Sequence, residues 1–152
     1  MKYKLLEKTK EVTGHVLHQI ESLQNFGDVK KGDKGGWIEN ESNLSQSGKA
    51  WVYENAQVFG NAKVYGDAQV SGNAKVYGDA IVAENAIVSK NAEVSENAEV
   101  FGDAIVYGKA QVYGKAWVFG DEEVSGDAEV SGDAQVYGDA QVYENAEVFG
   151  DA

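Results

Sequence analysis

The sequence predicts an all-β protein: a left-handed parallel β-helix with three sides and about six coils. Valine occupies every sixth position from Val52 to Val148. Alanine recurs at every sixth position from Ala50 to Ala152, so that an alanine stands two positions before each valine, and Glu122 is the single exception. A period of six excludes an amphipathic helix, whose apolar residues recur at intervals of three and four. Glycine followed by Asp or Asn closes most repeats, as a sharp turn requires.

Each repeat of six residues reads as a short strand and a corner. Because Ala and Val are two apart, both point inward and the residue between them points outward. Three repeats make one triangular coil of 18 residues, and successive coils stack at roughly 4.8 Å. Where the corner glycine is replaced, the next residue is asparagine, which predicts that asparagine takes the left-handed conformation there. The replaced positions are Glu54, Glu84, Lys90, Glu96 and Glu144.

Glu122 breaks the inward alanine row. A carboxylate among buried apolar side chains is costly unless it reaches solvent or finds a partner. We therefore expect a local distortion of the coil between Gly120 and Val124.

The first part of the chain, residues 1–49, is predicted to cap the solenoid formed by residues 50–152. Alternating residues from Tyr3 to Val12, a Thr13-Gly14 turn and a second strand from His15 to Ile20 indicate a β-hairpin. Such a hairpin would cover the strand edge exposed by the first coil.

The repeat also suggests a resemblance to known proteins. Over residues 50–152 the Ala-x-Val-x-Gly-Asp frame resembles the left-handed β-helix proteins built from hexapeptide repeats. The lead-in segment contains Phe26-Gly27-Asp28-Val29, Gly32-Asp33, Gly35-Gly36-Trp37-Ile38-Glu39 and Asn43-Leu44-Ser45. In these residues it is similar to the lead-in segment of a bacterial and prophage family labelled as transferases. The resemblance implies the β-helix fold, whereas the label derives from the best-known enzymes of the fold.

Charge divides sharply along the chain. Residues 1–50 contain eight lysines and seven acidic residues, whereas residues 51–152 contain five lysines and 18 acidic residues. Arginine, the side chain best suited to gripping phosphates, is absent from the sequence. Direct binding of nucleic acid is therefore not expected, and the acidic half predicts a basic protein partner.

Other features of composition narrow the class of protein. The sequence has no cysteine, so disulfides, thiolate metal sites and a cysteine nucleophile are excluded. Apolar stretches fall short of the roughly 20 residues of a membrane span, and residues 1–7 lack the apolar core of a secretory signal. We expect a cytoplasmic protein that uses no membrane, metal or cofactor.

Outward positions 18 residues apart share one column of the surface. The most acidic column of corner residues contains Asn85 and four aspartates. We expect it to form a solvated edge, because a single file of carboxylates does not supply the converging oxygens that Ca²⁺ requires. The four aspartates of this acidic edge are Asp67, Asp103, Asp121 and Asp139.

One side of the solenoid also carries an outward apolar stripe. Apolar stripes on rigid sheets usually mark an interface, and self-association into a homo-oligomer is the favoured kind. The interface candidates are Tyr65, Ile81, Phe101, Trp117, Phe119 and Tyr137.

The histidines argue against catalysis. Acyl-transferring enzymes of the resembled fold generally place a histidine base in the coils, beside a projecting loop. Here the two histidines, His15 and His18, both precede the repeats, and no loop interrupts residues 50–152. The sequence therefore favours a protein that is not an enzyme and leaves an acyltransferase as the alternative.

The sequence supports three hypotheses for function. The favoured one is a non-enzymatic acidic scaffold that self-associates and binds a basic protein, extended by the prophage resemblance to an inhibitor of a host protein that imitates the charge of DNA. The alternative is an acyltransferase-like enzyme with a site between subunits, in which His15 or His18 is the base. The third is a structural polymer subunit, suggested by the uncovered strand edge where the last repeat stops at Ala152.

Overall fold

A computed structural model describes residues 1–138 and 141–149 and shows an all-β architecture. Within these residues, seventeen strands of two residues each wind into a parallel solenoid of about six turns. A hairpin and a third strand of five residues, Lys34–Ile38, precede the solenoid. The predicted fold class, an all-β solenoid of hexapeptide repeats, is confirmed. In the described ranges, no helix is long and apolar enough to cross a membrane.

The hairpin consists of β1, Tyr3–Val12, and β2, His15–Ser22, joined by Thr13 and Gly14. Both turn residues have positive φ angles, 45° and 86°, which suits the tight turn of a two-residue hairpin loop. β3, Lys34–Ile38, pairs antiparallel with β2, and a 3-10 turn follows at Glu41–Asn43.

The short strands form three sheets that face one another around the core. Sheet A continues from β3 through Gln57–Val58 (β5), Lys75–Val76 (β8), Glu93–Val94 (β11), Gln111–Val112 (β14), Glu129–Val130 (β17) and Glu147–Val148 (β20). Sheet B contains Trp51–Val52 (β4), Gln69–Val70 (β7), Ile87–Val88 (β10), Ile105–Val106 (β13), Glu123–Val124 (β16) and Gln141–Val142 (β19). Sheet C contains Lys63–Val64 (β6), Ile81–Val82 (β9), Glu99–Val100 (β12), Trp117–Val118 (β15) and Gln135–Val136 (β18).

The interior is a continuous column of valine and alanine. Each valine from Val52 to Val142 is at most 8% exposed, which shields the centre of the rod from water. Parallel hydrogen bonds join each coil to the next, as where Tyr65 N donates to Val82 O at 3.1 Å. The backbone is thereby paired coil to coil, and the outward side chains stand in columns spaced by one coil.

The lead-in segment already follows the path of a coil. β3 pairs in parallel with β5, and Leu44 forms a parallel bridge with Val64. Gly36 in β3 lies so close to the next coil that a Cβ atom there would stand 2.6 Å from Ala56 O and 2.7 Å from Val52 Cγ1. The stack of coils therefore begins before residue 50, at β3.

The turn after β3 is held by a buried asparagine. The Asn43 Oδ1 atom accepts hydrogen bonds from Glu39 N at 3.0 Å and Asn40 N at 2.9 Å. Its Nδ2 atom donates to Gly60 O at 3.1 Å and to Ala62 O at 2.9 Å. Asn43 thus ties the turn to the coil above while being fully buried.

The start of the chain closes the open end of the first coil. Tyr3 is fully buried, and its hydroxyl donates to Leu44 O at 2.5 Å. Lys2 is 3% exposed, and its ammonium donates to Ala50 O at 2.7 Å. Burial lowers the pKa of Lys2 from 10.5 to about 8, against the attraction of Asp67. The two side chains supply donors to carbonyl groups at this end of the solenoid.

Stability is expected to rise between about pH 8 and pH 10.5 because of Lys2. Its folded-state pKa of about 8 lies below the unfolded value of 10.5, so the unfolded chain binds more protons in that window. From pH 7 to pH 10, the free energy of unfolding of the wild type should rise by about 1 to 2 kcal/mol more than that of Lys2→Met. Urea denaturation at the two pH values measures this difference. Parallel pH profiles of the two proteins would contradict this assignment.

The corners differ from the sequence-based prediction in one respect. Where glycine is replaced, the positive φ angle stays on the replacing residue, as at Glu54 with 55° and Glu84 with 61°, and does not pass to the following asparagine. The reason is the stacking: the inward Ala and Val fix where each corner falls, so the residue at the glycine position must adopt the left-handed conformation. The prediction that asparagine takes this conformation was wrong.

Replacing Glu54 with glycine is expected to stabilise the protein by about 0.5 to 1 kcal/mol. The left-handed conformation costs a residue with a Cβ atom about 1 to 2 kcal/mol, part of which the greater freedom of unfolded glycine offsets. Glu54 is exposed, so little packing is lost. Thermal denaturation should show a higher Tm for Glu54→Gly and no gain for Glu54→Ala, which keeps the Cβ atom. Equal gains in both variants would point to charge instead of backbone strain.

Glu122 alters its corner without disturbing the sheets. The side chain is fully buried, and Gly120 has a φ of 85°, wider than the 72° of Gly108. Gly120 and Asp121 form an open bend, whereas the adjoining corners form turns. β16 nevertheless keeps its register with β13 and β19. The distortion expected around Glu122 is therefore confined to the corner.

Candidate partner-binding surface

The six interface candidates lie on sheet C and on the corner that leads from sheet C to sheet B. Ile81 and Trp117 point outward from β9 and β15. The other four, which we call the aromatic column, follow the valines of β6, β12, β15 and β18 at the start of the corner. Of the six, Tyr65, Trp117 and Tyr137 are 44%, 40% and 61% exposed. The aromatic column is Tyr65, Phe101, Phe119 and Tyr137.

The last three rings of the aromatic column, Phe101, Phe119 and Tyr137, stack on one another. The centroids of Phe101 and Phe119 are 4.9 Å apart with planes 3° from parallel. Those of Phe119 and Tyr137 are 5.4 Å apart and 11° from parallel. Trp117 meets Phe101 edge to face at 6.1 Å. The separations match the coil repeat, so the solenoid itself sets the stacking distance.

The acidic edge stands on the same corner. Asp67, Asp103 and Asp121 are exposed, and each lies two residues after a ring of the aromatic column. The backbone holds them in file, since Asp67 N donates to Glu84 O at 2.8 Å and Asp103 N donates to Gly120 O at 2.8 Å. Asp139, the fourth predicted member, lies outside the described residues.

The aromatic column and the acidic edge therefore form one surface, which we call the acidic-aromatic corner. Sequence reasoning treated the two as separate features, although their constant offset of two residues was the signal that joins them. Within the edge, the Asn85 amide donates to Asp103 Oδ1 at 3.1 Å, which orients that carboxylate. A ridge of carboxylates beside flat apolar rings suits a partner that is both cationic and apolar.

The other corners carry contacts that sequence reasoning missed. The Tyr77 hydroxyl donates a hydrogen bond to Glu93 Oε1 at 3.0 Å, and the Tyr113 hydroxyl donates one to Glu129 Oε1 at 2.8 Å. Burial, followed by the bond to Glu93, raises the pKa of Tyr77. In each pair the carboxylate follows the tyrosine by 16 residues. It therefore lies on the next coil, two positions before the residue directly above the tyrosine, and the 18-residue coil could have revealed the contact. These tyrosines lean along the rod and satisfy neighbouring carboxylates.

The two histidines lie on β2, away from the acidic-aromatic corner. The Nδ1 atom of His15 is 3.0 Å from both carboxylate oxygens of Glu39, and the imidazole lies 5.0 Å from the Phe59 ring. Burial raises the pKa of Glu39, but hydrogen bonds from His15 and Gly60 N outweigh it and leave the pKa below its usual value. His18 donates from Nδ1 to Leu6 O at 2.9 Å. Neither histidine lines the cavities beside Ser95, Ser125, Trp117 or Ala83.

A metal site requires several donor side chains that converge on one point. In residues 1–138 and 141–149, no group of three or more His, Asp or Glu side chains converges closely enough to hold a metal ion. The exposed aspartates of the acidic edge stand in single file along the rod, an arrangement that presents their charge to solvent.

The fold and its surface define a β-solenoid protein built from hexapeptide repeats. A family model described as "YdcK Beta solenoid repeat" matches residues 56–72 and 68–84. The "Uncharacterized acetyltransferase YdcK" of Escherichia coli (strain K12) is 44% identical over 39 residues, which are 26% of this chain and 12% of that relative. The chain thus spans a small part of the curated relative it matches. These matches agree with the predicted resemblance to β-solenoid repeat proteins, one of which carries the name of an acetyltransferase.

Proposed function

We propose that the chain is a non-enzymatic, acidic scaffold of the cytoplasm that binds a basic protein through the acidic-aromatic corner. The observation that carries the proposal is the coincidence of the aromatic column and the acidic edge on one corner of an uninterrupted rod. Carboxylates at Asp67, Asp103 and Asp121 attract a cationic partner from a distance. The exposed rings beside them offer apolar area that becomes buried on contact.

The charge distribution around the rod favours this corner over the other two. Above Lys49, the described corner positions of the acidic edge carry only aspartate and asparagine. The corresponding positions on the other corners include Lys109 and Lys115, and a further corner lysine is Lys90. A basic partner therefore meets less repulsion along the acidic edge.

We extend the proposal to self-association and to a role as an inhibitor encoded by a phage or prophage. Exposed rings such as Tyr137 provide a surface on which a second copy can pack. A file of carboxylates on coils spaced at roughly 4.8 Å, interrupted at Asn85, offers a host DNA-binding protein a substitute for phosphates. Displacement of such a partner by DNA is the corresponding test.

Binding to a basic probe tests the proposed function. Calorimetry should show a lysine-glycine peptide binding to the wild type, with an affinity that falls as salt rises. Neutralising Asp67, Asp103 and Asp121 to asparagine should weaken binding about tenfold or more. Neutralising Asp79, Asp127 and Asp133, which lie on the other corners, is the control of equal charge and should have a smaller effect.

Equal losses in the two triple variants would show that net charge, and not this corner, attracts the peptide. Light-scattering chromatography of the same samples gives the oligomeric state. A discrete oligomer is expected, whereas fibres that grow with concentration would favour the polymer hypothesis.

A second candidate function, acyl transfer, has one specific observation in its favour. Glu39 holds the His15 imidazole through Nδ1 at 3.0 Å, and a carboxylate that orients a histidine is a common arrangement for a general base. The matched relative is also named an acetyltransferase. If this function is correct, the protein should bind acetyl-CoA and transfer its acetyl group, and His15→Ala should abolish transfer while His18→Ala weakens it less. Absence of acetyl-CoA binding by calorimetry would exclude it.

A further inference from the structure

The aromatic column is interrupted at a single coil. At the position where the neighbouring coils carry Tyr65 and Phe101, the intervening coil carries Ala83. The backbone there is regular, since Ala83 N donates to Val100 O at 2.9 Å. The small side chain opens a cavity of about 230 Å³, lined by Tyr65, Ile81, Ala83, Glu84, Glu99 and Phe101.

The cavity is a slot one ring thick. Rings on successive coils of this column stack at 4.9 Å, as Phe101 and Phe119 do. Tyr65 and Phe101 are two coils apart, so a flat group between them would lie about one coil spacing, or 4.8 Å, from each. Ala83, which is 3% exposed, forms the floor of the slot. The slot therefore suits a planar group that enters from solvent and stacks on both sides.

Carboxylates stand at the slot. In this coil the corner residue is Glu84 in place of glycine, and the next residue is Asn85 in place of aspartate. The negative charge thus moves from the edge to the residue adjoining Ala83. Glu99 on β12 supplies the second carboxylate. Within the described part of the chain, the carboxylates of Glu84 and Glu99 form no hydrogen bond or ion pair with another residue.

We infer that this slot receives an arginine side chain of the basic partner, with the guanidinium stacked between Tyr65 and Phe101 and bound by Glu84 and Glu99. The inference rests on the proposed function and names the chemical group that the scaffold recognises. Guanidinium is planar, carries a permanent charge, stacks on aromatic faces and binds carboxylates through a fork of N–H donors. The ammonium of lysine has the charge but neither the plane nor the fork. Residues 1–152 contain no arginine, so a second copy of them cannot supply the group, and the donor in this inference is a different protein.

A comparable notch on another corner differs in that its tyrosine and its carboxylate are bonded to each other. Ser95 also lies between two aromatic residues, Tyr77 and Tyr113, and a cavity of about 210 Å³ opens beside it. There the Tyr77 hydroxyl donates to Glu93 at 3.0 Å, so the ring and the carboxylate are tied to each other. Tyr65 has no such acceptor, because the residue 16 positions after it is Ile81. This contrast makes the slot at Ala83 better suited to an external group than the notch at Ser95.

Two peptides and four variants test the inference. An arginine-glycine peptide and its lysine counterpart are titrated against the full chain by calorimetry, and NMR follows the amide signals of Ala83 and Phe101. Wild type should bind the arginine peptide about tenfold more tightly, since the ring faces and the carboxylates of Glu84 and Glu99 favour guanidinium over ammonium. Ala83→Phe extends the ring stack of Phe101 and Phe119 and fills the slot without changing charge. It should remove the preference while leaving lysine-peptide affinity within about twofold.

The control for the added ring is Ser89→Phe, at the equivalent outward position after sheet B, which should retain the preference. Glu84→Gln should reduce the preference about threefold or more. Its matched control is Glu54→Gln, which removes the same charge from another left-handed corner and should reduce it less.

The inference is overturned if wild type binds both peptides equally, or if the preference survives Ala83→Phe. In either case binding of the lysine peptide would leave the proposed function standing. If neither peptide binds, the proposed function fails and the arginine site with it. If Ala83→Phe instead breaks an oligomer that wild type forms without peptide, the slot holds a second copy and the inference is wrong.

Discussion

Replacing Asn43 with leucine is expected to lower the free energy of unfolding by about 3 to 4 kcal/mol. The Asn43 amide makes four hydrogen bonds, two to N–H groups and two to carbonyl groups. Leucine has a similar size but cannot hydrogen-bond to these four backbone groups. Each lost hydrogen bond costs about 1 kcal/mol or more of stability. Urea denaturation monitored by tryptophan fluorescence measures the loss.

Two further variants separate hydrogen bonding from other effects at this site. Asn43→Asp preserves the shape and the two acceptor contacts but sets a carboxylate against Gly60 O and Ala62 O. It should be destabilised at pH 7 and recover part of the loss at low pH, where a protonated carboxyl can donate. Asn61→Ala removes an exposed amide that donates to Asp79 at 3.1 Å, and it should cost less than about 1 kcal/mol. A similar cost for Asn61→Ala and Asn43→Leu would show that burial of Asn43 is not decisive.

Replacing Gly36 with alanine is expected to cost about 2 to 3 kcal/mol. The added Cβ atom would stand 2.6 Å from Ala56 O and 2.7 Å from Val52 Cγ1, distances at which the backbone must move. Because β3 starts the coil stack, relief of this contact separates the lead-in segment from the coil above. Chemical denaturation gives the loss, and hydrogen exchange should show weaker protection of the amides around β3 and β5.

Gly32→Ala provides the control for Gly36→Ala. Gly32 has a φ of 93°, but a Cβ atom there would meet nothing within 4 Å. Its substitution therefore carries the conformational penalty of a left-handed residue, about 1 to 2 kcal/mol, without a packing clash. If Gly36→Ala is the milder of the two, close packing of β3 on the coil is not what requires glycine at this position.

The fold was predictable because one physical requirement repeats along the chain. An inward residue must be small and apolar, and the spacing of Val58, Val64 and Val70 places three short strands in each coil. The hairpin could also be predicted, since Thr13 and Gly14 interrupt two alternating segments. The left-handed corners at residues such as Glu54 were misassigned to asparagine because local preference was given more weight than the register that stacked coils impose.

The contacts that position the candidate surface were only partly accessible. Membership of the aromatic column and acidic edge followed from the 18-residue coil, but the open slot at Ala83 depends on side chains from three coils at once. The pairing of His15 with Glu39 joins residues 24 positions apart across β2 and β3. Neither periodicity nor composition specifies that contact, because it arises where the hairpin packs on the lead-in segment.

The three-sided coil gives this protein a rotational phase as well as a length. Duplicating 18 residues would lengthen the rod by one coil and leave each later column in line with its earlier part. Duplicating a single six-residue repeat would keep valine inside, yet it would turn all later surface residues onto the next side of the triangle. Rings such as Phe101 and Phe119 would then no longer continue the column begun by Tyr65. The core therefore tolerates changes in steps of six residues, while surface recognition survives only in steps of 18.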